Sequence, residues 1–281
     1  MKILFLIAGI CFSIVANAQK DFEIYALKYA VLKEPTPISN WVQGGPEKDR
    51  VPISFHFWLI KTPENRNILV DAGCRMDLSN AIDFGLTNYE RPDSVLLRLG
   101  VAAGDITDII ISHPHWDHID GLPLFANATV WMQQTEYSYY TGEVWQKGNK
   151  PGGIAKRNIE HLLQLNMAGK LKLVAGDNHE IIKGITVFTG SRHTYNSQYV
   201  LVSSGRNKVV IASDNIWVYY NLHKMLPPPS YGTMSAAGYI KNMERMKLQA
   251  SKPAYILPGH DETMFTQFPT VDQDGRIIRI L

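Results

Sequence analysis

The chain has 281 residues, 45% of them hydrophobic and 19% charged. That balance excludes a disordered or low-complexity protein and leaves enough chain to bury a sizeable core, in one large domain or two small ones. A formal net charge of only +2, with no basic tract or basic–aromatic stripe, disfavours a nucleic-acid partner.

The first residues read as a targeting signal. Lys2 gives a positive start, Ile3 to Val15 an apolar run, and Ala16-Asn17-Ala18 an A-x-A cleavage site. The run is shorter than the roughly 20 residues that span a bilayer, so no stable membrane anchor is expected. Residues 1–18 are then a signal peptide, and 19–281 a single exported domain, periplasmic or secreted. Cys11 falls in the signal, which leaves Cys74 alone in the mature chain. One thiol closes no internal disulfide, so packing must hold the fold. Cys74 itself reads as a small, partly buried residue.

Phe22 to Leu32 alternates loosely and is predicted as a first strand. A loop between Pro35-Thr36-Pro37 and Gly44-Gly45-Pro46 carries Trp41, which is a candidate cap for a pocket and equally a packing anchor. Val51 to Ile60 and Asn67 to Val70 form a predicted hairpin ending at Asp71-Ala72-Gly73. Val95 to Gly100 suggests a short helix with a glycine C-cap. The apolar run Ile106 to Ile111 then leads into Ser112-His113-Pro114-His115-Trp116-Asp117-His118. Imidazoles suit zinc, iron and similar ions, a carboxylate supports borderline metals, and a proline-stiffened strand end holds them rigidly. This stretch is read as a metal site.

Val130-Trp131-Met132 is a short predicted strand, and Gln133 to Glu136 opens a helix toward Tyr140. Apolar residues at helical spacing mark Ile154 to Met167, whose His161 reads as an exposed or packed histidine. Leu171 to Val174, Glu180 to Ile182 and Ile185 to Thr189 are expected as successive strands of a second sheet. Tyr199 to Ser203 and Lys208 to Ala212 make a further hairpin, Thr233 to Ala250 an amphipathic helix, and Ala254 to Leu257 a last strand. His193, Asp214 and His260 each follow one of these apolar strands. Singly, none would be remarked on.

His113-x-His115-x-Asp117-His118 resembles the HxHxDH signature of the metallo-β-lactamase superfamily, and the later strand ends follow in matching order. The resemblance implies an α/β (α+β) fold, the four-layer αββα sandwich with metals at one edge of the paired sheets. It implies one metal on His113, His115 and His193, a second on Asp117, His118 and His260, and Asp214 bridging them. Asp71 would orient these ligands from behind. Seven groups exceed what one four-coordinate ion uses, so two divalent ions are expected, zinc first among zinc, manganese, iron and cobalt.

The similarity extends to the N-acyl-homoserine lactonases, the quorum-quenching subgroup, through Gly104-Asp105-Ile106-Thr107-Asp108, Gln134-Thr135-Glu136-Tyr137 and the stretches ending at Gly73 and His193. It implies attack of a metal-bridging hydroxide on a lactone carbonyl, with Asp117 passing a proton to the leaving alkoxide. Asp117 and Asp214 are thus the catalytic candidates. Two departures stand out. Trp217 takes the place of a tyrosine three residues after the bridging aspartate, with Tyr219 and Tyr220 nearby, and Tyr195-Asn196-Ser197 replaces a Pro-Gly-His. Trp41, Trp116, Trp217, Tyr219 and Tyr220 are the candidate substrate-pocket residues. The expected partner is a small-molecule lactone or ester, and oligomeric state, a homodimer included, is left open. The alternatives are another lactone, an aryl or phosphate ester or a thioester, a mono-iron persulfide dioxygenase, and a metal-stabilised binding module.

Overall fold

Strands that are buried at nearly every position have cover on both faces, and the β4, β5 and β7 segments below are of that kind. The computed structural model describes residues 21–146, 148, 151–190 and 192–281, so the expected signal peptide lies outside the described residues. In chain order the strands are β1 (Glu23–Leu32), β2 (Thr36–Pro37), β3 (Arg50–Val51), β4 (Ser54–Lys61), β5 (Asn67–Val70), β6 (Leu86–Thr87), β7 (Ile106–Ile110) and β8 (Thr129–Gln133). They continue with β9 (Leu171–Val174), β10 (His179–Ile182), β11 (Ile185–Thr189), β12 (Gln198–Ser204), β13 (Asn207–Ser213), β14 (Ile256–Pro258) and β15 (Ile277–Arg279). The helices are α1 (Ser79–Asp83), α2 (Pro92–Leu97), α3 (Trp116–Ile119), α4 (Gln134–Thr141), α5 (Lys156–Met167), α6 (Tyr219–Lys224) and α7 (Ala236–Gln249).

One sheet runs β15-β1-β4-β5-β7-β8-β9 with β6 joined to β1, and the other runs β10-β11-β12-β13-β14. Side chains alternate across each strand, and the alternation divides two cores. Phe55, Phe57 and Leu59 of β4 join a cluster with Val95 and Leu96 of α2, Tyr140 of α4 and Leu162 of α5. Trp58 and Ile60 point the other way, into a cluster with Val200 and Val202 of β12 and Met243 and Met246 of α7. Helices therefore cover the outer face of each sheet and the sheets pack on one another, which is the four-layer α/β sandwich expected.

β1 slips register against β4 between Lys28 and Ala30, which is why its hydrophobicity alternates only loosely. The expected place of β9 needs correcting. It pairs in parallel with β8 at the edge of the first sheet, because α4 and α5 form the helical crossover that a parallel neighbour requires. β15, antiparallel to β1, was not anticipated from sequence; three residues are too few for a periodic signal. Ser235 caps α7 by accepting from the Gly238 N–H at 3.1 Å. Among the described residues no helix is long and apolar enough to cross a membrane.

Candidate metal centre

β5 and β7 run parallel in one sheet, as do β13 and β14 in the other. Their C-terminal ends deliver Asp71, the His113–His118 loop, Asp214 and His260 to one edge of the sandwich. His193 joins from the loop after β11.

Asp71 organises this edge. It is fully buried with φ +63°, a left-handed conformation that aspartate tolerates better than most residues. Its Oδ1 accepts the Ser112 N–H at 2.8 Å. Its Oδ2 accepts the hydroxyls of Ser112 at 2.9 Å and Ser213 at 2.8 Å, and the Nδ1–H of His118 at 2.8 Å. One carboxylate thus ties the ends of β5, β7 and β13 and fixes the tautomer of His118, leaving its Nε2 lone pair facing inward. Two other imidazoles are set in the same way. His193 Nδ1 donates to Gly232 O at 2.7 Å, and His260 Nδ1 donates to Ser54 O at 3.1 Å.

Two donor groups result. His113, His115, His193 and Asp214 form one, and Asp117, His118 and His260 the other, with the donor atoms of each within 4.8 Å of one another. His115 Nδ1 stands 2.9 Å from His113 Nε2 and 3.0 Å from His193 Nε2. Asp117 Oδ2 is 3.3 Å from His118 Nε2 and 3.6 Å from His260 Nε2. Asp214 lies between the groups. Its Oδ2 is 3.3 Å from His193 Nε2, 3.9 Å from His113 Nε2 and 3.3 Å from His260 Nε2, while its Oδ1 is 3.3 Å from His118 Nε2 and 3.1 Å from His260 Nε2. All seven residues of the expected ligand set are thus brought together, and His161 stays apart from both groups.

The donor set fits divalent cations. The inward Nε2 atoms of His118, His193 and His260 converge on two carboxylates, and among the described residues His118 Nε2 and Asp214 Oδ1 are buried without a hydrogen-bond partner. Burial opposes a charge on His118, yet the combined fields of Asp117, Asp214 and Asp71 hold its pKa well above the ordinary imidazole value. His260 is raised too, with burial again outweighed by Asp214. On the other side, burial and the neighbouring His193 push His115 down to about 3. The cage calls for positive charge between its carboxylates, and nitrogen and oxygen donors of this kind suit zinc and its neighbours.

Above the cage opens a cavity of about 710 Å³ with a largely aromatic wall, to which Trp41, Trp116 and Trp217 all contribute, as do Phe55, Tyr139 and Tyr231. Tyr219 and Tyr220 do not line it, contrary to expectation. α6 starts at Tyr219, and helical rotation separates the two rings. Tyr219 turns into the core shared by the sheets and stacks on His223, while Tyr220 packs at the other core's edge beneath Lys224. The Tyr195-Asn196-Ser197 departure also has an account. Tyr195 stacks on Tyr139 at 4.0 Å, and the Thr194 hydroxyl and Asn196 N–H both donate to the buried Glu136. Burial pushes the Glu136 pKa up to about 7. Sequence reasoning assigned Glu136 no role, although it stands in the quoted Gln134-Thr135-Glu136-Tyr137. Ser112 and Ser213 were also missed; their only signal was adjacency to His113 and Asp214.

Gly259 shows why His260 follows a glycine. A Cβ built there would overlap Asp214 Oδ1 and stand 2.9 Å from the Ser213 carbonyl carbon. Gly259→Ala is therefore expected to displace Asp214 and weaken metal retention at least about tenfold, measured by competition with a chromophoric chelator.

Residues 56–260 match the family described as the Metallo-beta-lactamase superfamily, a span that opens in β4 and closes on the last of the seven donors. The chain belongs to that superfamily. Among curated proteins, an N-acyl homoserine lactonase of a Bacillus species is 24% identical over 178 residues, 63% of this chain and 64% of that one. The chain thus spans a little under two thirds of that relative's length. The N-acyl homoserine lactonase AttM of Agrobacterium fabrum is 22% identical over 268 residues, covering 88% of this chain and 96% of that one. A crystal structure of a Bacillus thuringiensis AiiA mutant with N-decanoyl-L-homoserine bound superposes with a TM-score of 0.67 at 20% identity, covering 90% and 97%. That likeness shows a shared fold.

Proposed function

We propose that this superfamily member is a dinuclear, metal-dependent hydrolase that opens the lactone ring of N-acyl homoserine lactones. The carrying observation is Asp214, one carboxylate whose two oxygens between them reach both donor groups. A purely structural site has no use for such a bridge. The lactonase relatives over most of the chain support the substrate. Two divalent ions bound there would polarise an ester carbonyl and bring the pKa of water toward about 7. His113, His115 and His193 would hold one ion, His118, His260 and Asp117 the other, and Asp214 both. Asp117, which lines the cavity, is placed to hand a proton to the departing alkoxide. The aromatic wall takes up the acyl chain and excludes water from the reacting ester. Zinc as the resident metal and export through the leader at 1–18 belong to the same proposal.

The test is to load the protein with zinc, determine metal per chain, and follow proton release with a short and a long N-acyl homoserine lactone beside an aryl ester and a phosphate ester. Two metals per chain and a lactone kcat/KM on the order of 10⁴ M⁻¹ s⁻¹ or more are expected. Inert lactones beside a rapidly hydrolysed ester would overturn the substrate, and a single iron with oxygen consumption would overturn the reaction class.

A further inference from the structure

The carboxylate of an aspartate turns easily about its last torsion, because a terminal sp³–sp² bond has a broad energy profile. A bridge between two cation sites needs that angle fixed, with one oxygen assigned to each side. Asp214 has such a fixing group. The indole Nε1–H of Trp217 donates to Asp214 Oδ2 at 2.9 Å, and both side chains are buried. The bond falls on Oδ2, the oxygen turned toward His193 and His113, so turning the carboxylate plane away from this angle would break it.

Trp217 is itself held. A Cβ on Gly232 would overlap the far edge of its ring, and Trp41 meets the ring edge-on at 5.4 Å. The Trp217 backbone N–H donates to the Tyr239 hydroxyl at 2.8 Å. The Gly232 carbonyl also accepts from His193 Nδ1, so one glycine sets both the tautomer of an inward-facing imidazole and the seat of the indole.

We infer that Trp217 is a positioning residue that sets the rotation of the Asp214 carboxylate through its indole N–H, while its ring face walls the cavity. This inference rests on the dinuclear reading. At this position the chain uses an N–H directed away from substrate and onto the bridge, so Trp217 acts through Asp214 instead of touching the reacting carbonyl.

The experiment uses Trp217→Phe, which keeps an aromatic wall and removes the donor. Zinc release to a chromophoric chelator is measured alongside kcat and KM for a long-chain N-acyl homoserine lactone. Expected are zinc loss from one of the two sites at least about tenfold faster, or at a correspondingly lower chelator concentration, a kcat lowered by a similar factor, and a KM within roughly twofold of the unmodified protein's because the wall survives. In the unmodified protein, the indole N–H resonance that the substitution deletes should shift between the zinc-loaded and zinc-stripped states. Unchanged zinc retention overturns the inference, whether kcat falls, as a direct donor to substrate would require, or only KM rises, as a mere wall would. Should Trp217→Phe not fold by circular dichroism, Trp217→Leu is held to the same zinc-retention criterion. An unmodified protein that binds fewer than two zinc ions would instead sink the dinuclear reading itself.

Discussion

Asp214→Ala is expected to strip the protein of metal and turnover together, with kcat/KM falling on the order of 10²–10³-fold or more, the scale set by removing one preorganised charge-stabilising group. The reason is electrostatic. Among the described residues Asp214 is the one carboxylate shared by both donor groups, within 3.3 Å of His193, His118 and His260, and it would supply the negative charge that two dications side by side require. Without it the imidazole lone pairs face one another with nothing to offset the mutual repulsion of the ions. Bound metal stabilises only the folded state, so its loss also lowers the melting temperature. Metal analysis, turnover and thermal melting of the same preparation check the three effects at once. Full turnover with two metals retained would show that Asp214 is no bridge.

The second large effect is expected at Asp71, and two substitutions there separate its roles. Asp71→Ala removes the acceptor of four buried hydrogen bonds and places alanine in a left-handed conformation. Breaking a buried polar network of this kind costs about 3–5 kcal/mol. Asp71→Asn keeps the shape and suits the positive φ, but its amide carries two protons. The Oδ1 slot faces the Ser112 backbone N–H and must receive the amide oxygen, so the NH₂ group takes the Oδ2 slot. The two serine hydroxyls can rotate to accept from it. His118 can accept only by surrendering the proton on Nδ1, which then sits on Nε2 and points into the cage. Asp71→Asn should therefore remain folded and lose roughly 10–100-fold in affinity for the metal on His118 and His260. Titration with zinc and denaturant unfolding distinguish the two variants. A folded Asp71→Asn protein with undiminished affinity for both metals would refute the tautomer account.

The donor residues were legible in sequence for a local reason. Four of the seven lie within six consecutive positions after an apolar strand, whereas His193, Asp214 and His260, unremarkable singly, were reached through the resemblance to the superfamily. What was hidden depends on geometry between distant segments. The grip of Asp71 on Ser112, Ser213 and His118 needs a left-handed residue and three strand ends at one point, which spacing does not encode. Tyr219 and Tyr220 looked alike as aromatic neighbours of Trp217, until the start of α6 turned both away from the cavity. β9 looked like its successors because a strand's own residues do not say which sheet it joins. The Trp217 bond to Asp214 was likewise invisible; a tryptophan in place of a tyrosine marked a departure and a candidate pocket wall, without showing where its N–H points.

The cage draws its parts from both layers of the sandwich. His113 to His118 hang from the helix-backed first sheet, whereas His193, Asp214 and His260 hang from the second, with Asp71–Ser213 and His260–Ser54 contacts spanning the seam. Ions held there would act as a clasp between two plates, and sliding of one plate over the other would open the clasp. Residues far from the cavity, such as Trp58 and Val202 in the shared interior, would accordingly govern how firmly the ions are kept, and chelation is expected to loosen the architecture as well as silence the chemistry.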